Sequence, residues 1–271
     1  MSENKKIISI LGGGWIGFDL ALSFLKKNST CIKISTTTRE KMDHFIKNKM
    51  TPFLINSSNK NFDNKILSEF LICDTLVIAI PPKKDNPNYL DFLEKISSHE
   101  NTKFIKQVIF ISSSSVYPNV EKTFTEKEII TTDNSSKSIV YKAEKIFLDS
   151  KLNSIILRCA GLMGYDRIAG KYFANKILDC KEAKVNYVHK DDVIAIINLL
   201  VQKKANSAVY NLCSSLHPTK EEVYLSNALK HHFEKPIFKE SKKYKTRIID
   251  GSKVTKELGY IYKYHNPLDY D

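Results

Sequence analysis

Arginine, paired cysteines and long apolar runs are all scarce in this chain of 271 residues. The five cysteines form no CxxC pair and the histidines show no ligand spacing, which predicts a reduced protein without a disulfide framework or a metal site. No apolar run approaches the roughly 20 residues of a membrane span, and the glycine-broken N-terminal stretch is too short for a signal peptide. We therefore expect a cytoplasmic protein with no membrane partner.

Of the 42 basic side chains only four are arginine, namely Arg39, Arg158, Arg167 and Arg247. Because nearly all other basic positions of the chain are lysine, we expect these arginines at sites that need a planar, bidentate guanidinium group. The net charge of +12 is carried mainly by lysines that are spread along the chain in pairs, not in a block. This pattern indicates a solvated surface and no nucleic-acid partner, since nucleic-acid binding would need a one-sided basic face.

Glycine is also rare, yet four of the nine glycines fall between positions 12 and 17. The stretch LGGGWIG follows an apolar strand and opens a helical pattern, and Gly12, Gly14 and Gly17 fit the GxGxxG fingerprint. Gly12 would allow a tight turn, Gly14 would let the backbone approach a pyrophosphate, and Gly17 would let helix and strand pack closely. The helix N-terminus at Trp15 and Ile16 adds free N–H groups and a partial positive charge. The turn therefore predicts a dinucleotide site.

Apolar, β-branched runs alternate with helical patterns along the chain. Strands are predicted at 6–11, 30–35, 51–56, 74–81, 107–112, 154–161, 185–189 and 208–213, and helices at 15–27, 39–49, 137–150 and 191–203. Such an alternation is typical of a parallel sheet covered on both faces. The predicted fold class is α/β, a Rossmann-type doubly wound parallel sheet with a small C-terminal substrate-binding lobe. We expect the nucleotide-binding domain at 1–160, completed by 185–213, and the lobe at 161–184 and 214–271.

The end of the second strand bears on which dinucleotide binds. An NAD site usually carries an acidic residue there, which bonds the ribose 2′-hydroxyl. Here the sequence reads ISTTTRE, with neutral side chains up to Thr38 and then Arg39. This favours a 2′-phosphate, and hence NADP over NAD, with Thr38 and Arg39 among the binding residues. The alternative is that Arg39 is an ordinary residue at the start of the next helix. Pro81, which ends the fourth strand, is assigned to the same site.

Two YxxxK matches occur, Tyr141/Lys145 and Tyr172/Lys176, about as many as chance predicts. Only the first has a supporting context. Tyr141 and Lys145 share a helix stripe away from the apolar one, and the serines of ISSSSVYP end the preceding strand. A hydroxyl, a phenol and an ammonium beside a nicotinamide would make a proton-transfer site. An ammonium so close to a phenol would favour the phenolate form that a general base needs.

With these residues in place, the chain resembles the extended, epimerase/dehydratase-like branch of the short-chain dehydrogenase/reductases. The stretches GGGWIG, SSSSVYP, YKAEK, LRCAGLMG and VNYVHKDDV occur in that family's order and approximate spacing. The resemblance implies that Ser113 is catalytic, that Tyr141 is the acid/base, and that Lys145 holds the nicotinamide ribose and tunes Tyr141. It also implies a small substrate-binding lobe in the C-terminal part.

Three positions depart from the family pattern. Leu11 replaces the first glycine of GxxGxxG, Gly161 stands where sugar-nucleotide epimerases often have asparagine, and Pro118 replaces a glycine after Val-Tyr. The absence of an amide side chain at position 161 argues against a standard nucleotide-sugar substrate. We expect a small or unusual substrate instead.

The sequence therefore predicts an NADP-dependent oxidoreductase or epimerase that moves hydride at a carbon bearing a hydroxyl or carbonyl oxygen. Ser114, Ser115 and Arg167 are predicted to contact the small-molecule substrate, Arg167 through an anionic group. Ser112 and Ser114 stay open as alternatives to Ser113. An NADP-binding sensor without turnover is the alternative function, and the intact Ser/Tyr/Lys set argues against it. A monomer or homodimer is expected, and the sequence leaves open the substrate, the direction and the choice among reductase, epimerase and dehydratase.

Overall fold

Strands and helices alternate through residues 5–26, 30–59, 63–239 and 246–270, which are the residues that the computed structural model describes. The strands are β1 (Lys6–Leu11), β2 (Thr30–Thr36), β3 (Thr51–Leu54), β4 (Thr75–Ile78), β5 (Gln107–Ser113), β6 (Lys122–Phe124), β7 (Ser154–Cys159), β8 (Gly161–Met163), β9 (Ile177–Leu178), β10 (Tyr187–His189), β11 (Ala208–Leu212), β12 (Ile237–Phe238) and β13 (Arg247–Ile249). The helices are α1 (Trp15–Leu25), α2 (Glu40–Lys47), α3 (Asn64–Leu71), α4 (Tyr89–Ser97), α5 (Ser138–Leu148), α6 (Lys190–Lys203), α7 (Lys220–Lys230) and α8 (Ser252–Leu258).

Seven strands form the central sheet, in the order β11-β7-β5-β4-β1-β2-β3. β1 pairs in parallel with both β2 and β4, and the pairs β2–β3 and β4–β5 are parallel as well. The chain therefore winds outward from β1 through β2 and β3, returns to the other side of β1 as β4, and winds outward again. This is the doubly wound α/β sheet predicted from the sequence. In such sheets ligands bind beyond the carboxyl ends of the strands, where the winding reverses.

The strands of the sheet are apolar because they are covered on both faces. All four residues of β4 and all six of β7 are buried. Beside them, the apolar side chains of α3 and α4 join one core cluster, in which Phe70, Leu93 and Ile96 are fully buried. Each fully buried side chain of this size contributes roughly 1.5–3 kcal/mol to folding. The core thus holds the carboxyl ends of β1 and β4 in fixed positions.

The chain divides into two compact units. The first comprises Met1–Ser112, Ser138–Leu157 and Ile196–Val209, and the second comprises Ser113–Lys137, Arg158–Ala195 and Tyr210–Asp271. The first unit holds helices α1 to α5 and most of the central sheet. In the second, three short parallel pairs form, β8 with β10, β9 with β12, and β6 with β13. The domain boundary placed at residue 160 stays a prediction.

Candidate active site

The turn after β1 leaves no room for a Cβ at Gly12, Gly13 or Gly17. Gly12 has φ +108°, and its N–H donates to the hydroxyl of Ser35 at 2.8 Å. The N–H of Gly13 donates to the carbonyl oxygen of Ser35, also at 2.8 Å. A Cβ on Gly17 would lie 2.0 Å from the carbonyl oxygen of Gly12. Gly12 and Gly17 are therefore required by the turn itself, which is tied to the end of β2.

Gly14 has a different environment, because a Cβ at this position would meet no atom within 4 Å. It caps α1, whose first turn begins with Trp15 and Ile16. In the described part of the chain no side chain caps this helix, and no acidic residue lies in its first turn. Open space in front of an uncapped helix N-terminus suits a phosphate group, because the first-turn N–H groups and the helix dipole both favour an anion. The residues present thus fit the diphosphate of a dinucleotide.

A cavity of about 220 Å³ adjoins this turn. Its walls come from the carboxyl ends of four strands: residues 11–14 at the end of β1, Ser35 and Thr36 of β2 with the following Thr37, Ile55 and Ser57 after β3, and Ala79, Ile80 and Pro81 after β4, together with Lys41, Lys83 and Phe92. Pro81, which the sequence assigned to the dinucleotide site, lines this cavity. Lys41 and Lys83 were not singled out from the sequence, although Lys83 directly follows the two prolines that end the fourth apolar run.

The structure places Thr38 and Arg39 on the exposed loop that leads into α2, and neither lines this cavity. The carbonyl oxygen of Thr38 accepts a hydrogen bond from the hydroxyl of Thr36 at 3.2 Å. Arg39 is the residue before α2 and already has helical backbone angles. Lys41, two residues further on, is the basic residue of this segment that reaches the cavity.

Helix α5 carries the Tyr–Lys pair on the side away from its core face. Val140, Ala143 and Phe147 are buried, whereas Tyr141 is half-buried and Lys145 is exposed. In the described part of the chain the hydroxyl of Tyr141 makes no hydrogen bond, so it is available to a ligand.

The ammonium group of Lys145 is paired with a residue that the sequence did not single out. Its Nζ lies 2.8 Å from Oδ2 of Asp149, one turn further along the chain. The hydrogen bond and the charge of Asp149 raise the pKa of Lys145. The other YxxxK match does not share a helix, because the short 3₁₀ turn Lys171–Phe173 ends before Lys176.

Glu144 is a further residue of α5 that the sequence did not single out. Its side chain is fully buried, and it accepts a hydrogen bond from the hydroxyl of Ser112 at 2.5 Å. A buried carboxyl needs such partners, because burial without hydrogen bonds costs several kcal/mol. The hydroxyl proton of Ser112 is therefore engaged within the first unit.

In the second unit, the other serines of the ISSSSVYP stretch differ in exposure. Ser113 ends β5 and is half-buried, and its Oγ accepts a hydrogen bond from the N–H of Ser115 at 3.1 Å. Ser114 is buried and Ser115 is half-buried. Ser113 therefore keeps its own hydroxyl proton for donation, while its oxygen caps the short turn Ser114–Val116.

The three arginines other than Arg39 have different environments. Arg158 is buried, and its Nη1 donates to the hydroxyl of Tyr117 at 3.1 Å. Arg247 is half-buried, and desolvation lowers its pKa. Arg167 closes a tight turn with Gly164 through two backbone hydrogen bonds of 3.1 Å. Arg158 is thus engaged inside the second unit, and the expectation that the arginines lie at sites needing a planar, bidentate guanidinium group stays a prediction.

Gly161 is required by an aromatic neighbour. A Cβ at this position would lie 2.5 Å from the ring of Tyr187, which faces it across the β8–β10 pair. The hydroxyl groups of Tyr187 and Tyr224 are 3.1 Å apart and share a hydrogen bond. The ring of Tyr187 thus occupies the space that a longer side chain at position 161 would need.

Comparison with known proteins identifies the family. A scan against models of known protein families finds no match. Protein YeeZ of Escherichia coli strain K12 is 32% identical to this chain over 269 residues, which cover 97% of this chain and 98% of YeeZ. The chain belongs to the YeeZ family.

Solved structures with the same fold share little sequence with this YeeZ-family chain. UDP-glucuronic acid 4-epimerase from Bacillus cereus in complex with NAD superposes with a TM-score of 0.77 at 16% identity, covering 98% of this chain and 97% of that one. The enzyme WbmH from Bordetella bronchiseptica in complex with NAD+ gives 0.77 at 14% identity, with 94% and 92% covered. A short-chain dehydrogenase/reductase superfamily protein from Agrobacterium tumefaciens with bound NAD gives 0.74 at 12% identity, with 95% and 92% covered. These likenesses confirm, for the fold, the resemblance inferred from the motifs.

No helix among the described residues combines the length and the apolar content that crossing a bilayer requires.

Proposed function

We propose that this chain is a nicotinamide-dinucleotide-dependent oxidoreductase or epimerase of the short-chain dehydrogenase/reductase type, and that it uses NADP in preference to NAD. The observation that carries the proposal is the turn after β1. Gly12 and Gly17 leave no room for a side chain, whereas Gly14 opens onto free space at an uncapped helix N-terminus. Structures of the same fold contain NAD, which supports the same class of cofactor.

The preference for NADP is supported by the charges around the adjoining cavity. Among its lining residues, all of which lie in the described part of the chain, none carries a carboxylate. Lys41 and Lys83 contribute two ammonium groups instead. A carboxylate would suit the ribose 2′-hydroxyl of NAD, whereas cations suit a 2′-phosphate. Arg39, exposed two residues before Lys41, is proposed to bind the same phosphate.

The cofactor would supply or accept the hydride, and the chain would move the proton. Tyr141 is proposed to take the proton from a substrate hydroxyl, or to give it to a carbonyl oxygen, because its phenol has no other engagement in the first unit. Lys145 is proposed to bind the nicotinamide ribose and to stabilise the Tyr141 phenolate. Both side chains of the Lys145–Asp149 ion pair are exposed. Exposed ion pairs contribute little to the free energy of folding, so Lys145 can exchange Asp149 for the cofactor.

Ser113 is proposed to hold the reacting oxygen of the substrate. Its hydroxyl oxygen is occupied by the N–H of Ser115, which leaves the hydroxyl proton free to donate. The competing candidates are less suitable, because the proton of Ser112 is donated to Glu144 and Ser114 is buried. Ser114, Ser115 and Arg167 are proposed to contribute to substrate binding, Arg167 through an anionic group.

The substrate is proposed to be small or unusual and not a standard nucleotide sugar. Tyr187 fills the space beside position 161, where the sugar-nucleotide epimerases often carry an asparagine. An oxidoreductase or an epimerase acting on a compact substrate is consistent with this filled space.

An NADP-binding sensor on the same fold is the second candidate. The observation that favours it is the Lys145–Asp149 ion pair, because it engages the ammonium group that catalysis would need. The two functions differ in whether any substrate is turned over.

The experiment that tests the enzyme is a comparison of Tyr141→Phe with Tyr172→Phe. A library of small carbonyl and hydroxyl metabolites is screened by the absorbance of the reduced nicotinamide, and cofactor binding is measured by calorimetry. We expect Tyr141→Phe to lose a factor of about 10²–10⁴ in rate while it binds NADPH like the wild type, because Phe keeps the ring and removes the proton. Tyr172→Phe, at the exposed tyrosine of the other YxxxK match, is the control and should leave the rate and NADPH binding unchanged. Equal turnover in Tyr141→Phe and wild type would remove Tyr141 from the mechanism, and the absence of any turnover would favour the sensor.

A further inference from the structure

The second unit contains a cavity of its own, of about 480 Å³. This volume falls within the roughly 300–1,000 Å³ of small-molecule sites in proteins. The cavity uses none of the residues to which the proposed reaction assigns a role. Its floor is formed by Cys213, Gly251 and Tyr262, and its walls carry polar side chains from several separate segments of the second unit.

The floor of this cavity is closely packed. A Cβ on Gly251 would lie 2.5 Å from the carbonyl oxygen of Cys213, so the chain approaches the end of β11 as closely as glycine permits. The side-chain amide of Asn186 donates to the carbonyl oxygen of Arg247 at 2.7 Å and accepts from the N–H of Ile249 at 2.8 Å. These bonds fix β13, which carries one wall. The site is thus held in shape without a ligand.

His217 belongs to the lining of the cavity. Its Nδ1 lies 3.1 Å from the carbonyl oxygen of Val185, and because a carbonyl oxygen only accepts, Nδ1 must carry the proton. Burial lowers the pKa of His217. The hydrogen bond to Val185 and the charge of Asp250 oppose this shift, and the charge of Lys184 adds to it. The neutral ring therefore leaves Nε2 with a lone pair.

Two hydroxyl groups of the lining already donate hydrogen bonds to backbone carbonyl oxygens. Thr255 donates to the carbonyl oxygen of Tyr260 at 2.8 Å, and Ser214 donates to that of Leu216 at 3.3 Å. Each of these hydroxyl oxygens can therefore only accept a further hydrogen bond. Together with His217 they make three acceptor groups that have no proton to offer.

The fixed charges of the lining balance. One carboxylate oxygen of Asp250 accepts from the N–H of Ser252 at 2.8 Å, and Nζ of Lys256 donates to the hydroxyl of Ser252 at 3.0 Å. A single negative and a single positive group thus face the same space, and Asp250 adds a fourth acceptor. A polyanion would be repelled by Asp250 and by the acceptor lone pairs, and a polycation would be repelled by Lys256.

We propose that this cavity binds a small, neutral, polyhydroxylated molecule of about the size of a monosaccharide or a cyclitol. Such a ligand supplies the donors that His217, Ser214, Thr255 and Asp250 lack, and it carries no charge that the balanced lining would oppose. The inference does not depend on the proposed dehydrogenase function, because the site uses neither the glycine turn nor the Tyr141 helix.

The test uses the full-length chain and the side-chain ¹⁵N signals of histidine in long-range ¹H–¹⁵N NMR spectra. The signals of His217 are identified by their loss in His217→Asn, and we expect them to show a proton on Nδ1. The probes are myo-inositol, glucose and xylose, compared with glucose 6-phosphate and glucosamine as charged counterparts. We expect at least one neutral probe to shift Nε2 of His217 and to bind more tightly than the charged probes. The signals of His99, in the first unit, should not move.

Variants of the lining show whether the probe binds in this cavity. Asp250→Asn and Thr255→Val should each weaken binding of the neutral probe by about tenfold, since each removes one acceptor. Thr102→Val is the matched control, because its hydroxyl donates to a carbonyl in the first unit at 2.7 Å. The proposal is overturned if no neutral probe at millimolar concentration shifts His217. It is also overturned if the shift persists unchanged in both lining variants, or if a charged probe binds more tightly than every neutral one.

Discussion

Gly14 and Gly17 stand three residues apart in the same glycine-rich motif, yet a methyl group would have different effects at the two positions. At Gly14 it would enter open space, and the φ of −91° lies outside the left-handed region that favours glycine. At Gly17 it would collide with a backbone oxygen, which cannot move without opening the turn. A substitution at Gly14 therefore tests ligand binding, whereas a substitution at Gly17 tests folding.

The first prediction follows from this difference. Gly14→Ala should unfold at nearly the wild-type temperature without ligand but bind NADPH at least about tenfold more weakly, because the methyl group occupies the space proposed for the diphosphate. Gly17→Ala should lose both stability and binding. Thermal unfolding with and without NADPH measures both effects. Wild-type NADPH affinity in Gly14→Ala would contradict the proposed position of the diphosphate.

The second prediction concerns cofactor choice at the end of β2. NADPH should bind more tightly than NADH, and Arg39→Ala and Lys41→Ala should each reduce the difference. A charge-assisted contact to a phosphate contributes roughly 1.5–3 kcal/mol. Calorimetric titration of both cofactors measures the preference, with Lys47→Ala in the last turn of the same helix as the control. Equal affinities in the wild type would rule out the 2′-phosphate contact.

At the residue scale, the sequence predicted what is local and missed what depends on packing. The glycine turn is a continuous motif, so its geometry could be anticipated from Gly12 to Gly17. Lys41, Asp149 and Glu144 could not, because their roles depend on which side of a helix meets a cavity or a strand end. Glu144 follows the buried Ala143 directly, and only the packing of α5 on β5 shows that its carboxyl is buried with Ser112.

At the scale of elements, the strands of the central sheet were predicted better than the helices. The apolar runs gave seven strands at nearly their observed positions, because strands buried on both faces are continuous in sequence. Helices α7 and α8 were not predicted, and neither were α3 and α4. Their eight and nine residues contain about two turns of apolar periodicity, which is too short to stand out from the neighbouring runs.

The third prediction concerns helix α7, which begins with a capping box. The hydroxyl of Thr219 accepts from the N–H of Glu222 at 3.1 Å, and the carboxylate of Glu222 accepts from the N–H of Thr219 at 2.7 Å. Thr219→Ala should reduce the free energy of unfolding by about 1 kcal/mol, which urea unfolding can measure. Lys220→Ala, at the next position, should change it by less than about 0.5 kcal/mol, as is usual for surface substitutions.

The pH dependence of this cap has a definite sign. The hydrogen bonds from Thr219 lower the pKa of Glu222 below its ordinary value of 4.5. The stabilisation is therefore fully present above that ordinary value and is lost as the pH falls through the lower pKa of the folded state. The difference between wild type and Thr219→Ala should shrink in acid. A difference that stays constant from neutral pH down to pH values well below 4.5 would exclude the carboxylate of Glu222 from the cap.

At the scale of the whole molecule, the fold class was predicted but the strand order was not. Alternating strands and helices imply a parallel sheet, and the right-handed crossover limits the topologies. The chain returns to the far side of β1 as β4, and in sheets of this kind ligands bind in the crevice that such a return creates. No sequence pattern predicts on which side of β1 the fourth strand lies. The short parallel pairs of the second unit, of two or three residues each, were also missed except for the run at 185–189.

The pair Gly161 and Tyr187 limits the order in which relatives of this chain can have changed. In the wild-type background Gly161→Asn should be strongly destabilising, because even its Cβ would lie 2.5 Å from the Tyr187 ring. In a Tyr187→Ala background the same substitution should be tolerated. A double-mutant cycle of unfolding free energies should give a coupling of about 0.5–3 kcal/mol, and additive effects would refute it. An evolutionary path towards an amide side chain at position 161 must therefore first shorten the residue at 187, and the reverse order passes through a poorly folded intermediate.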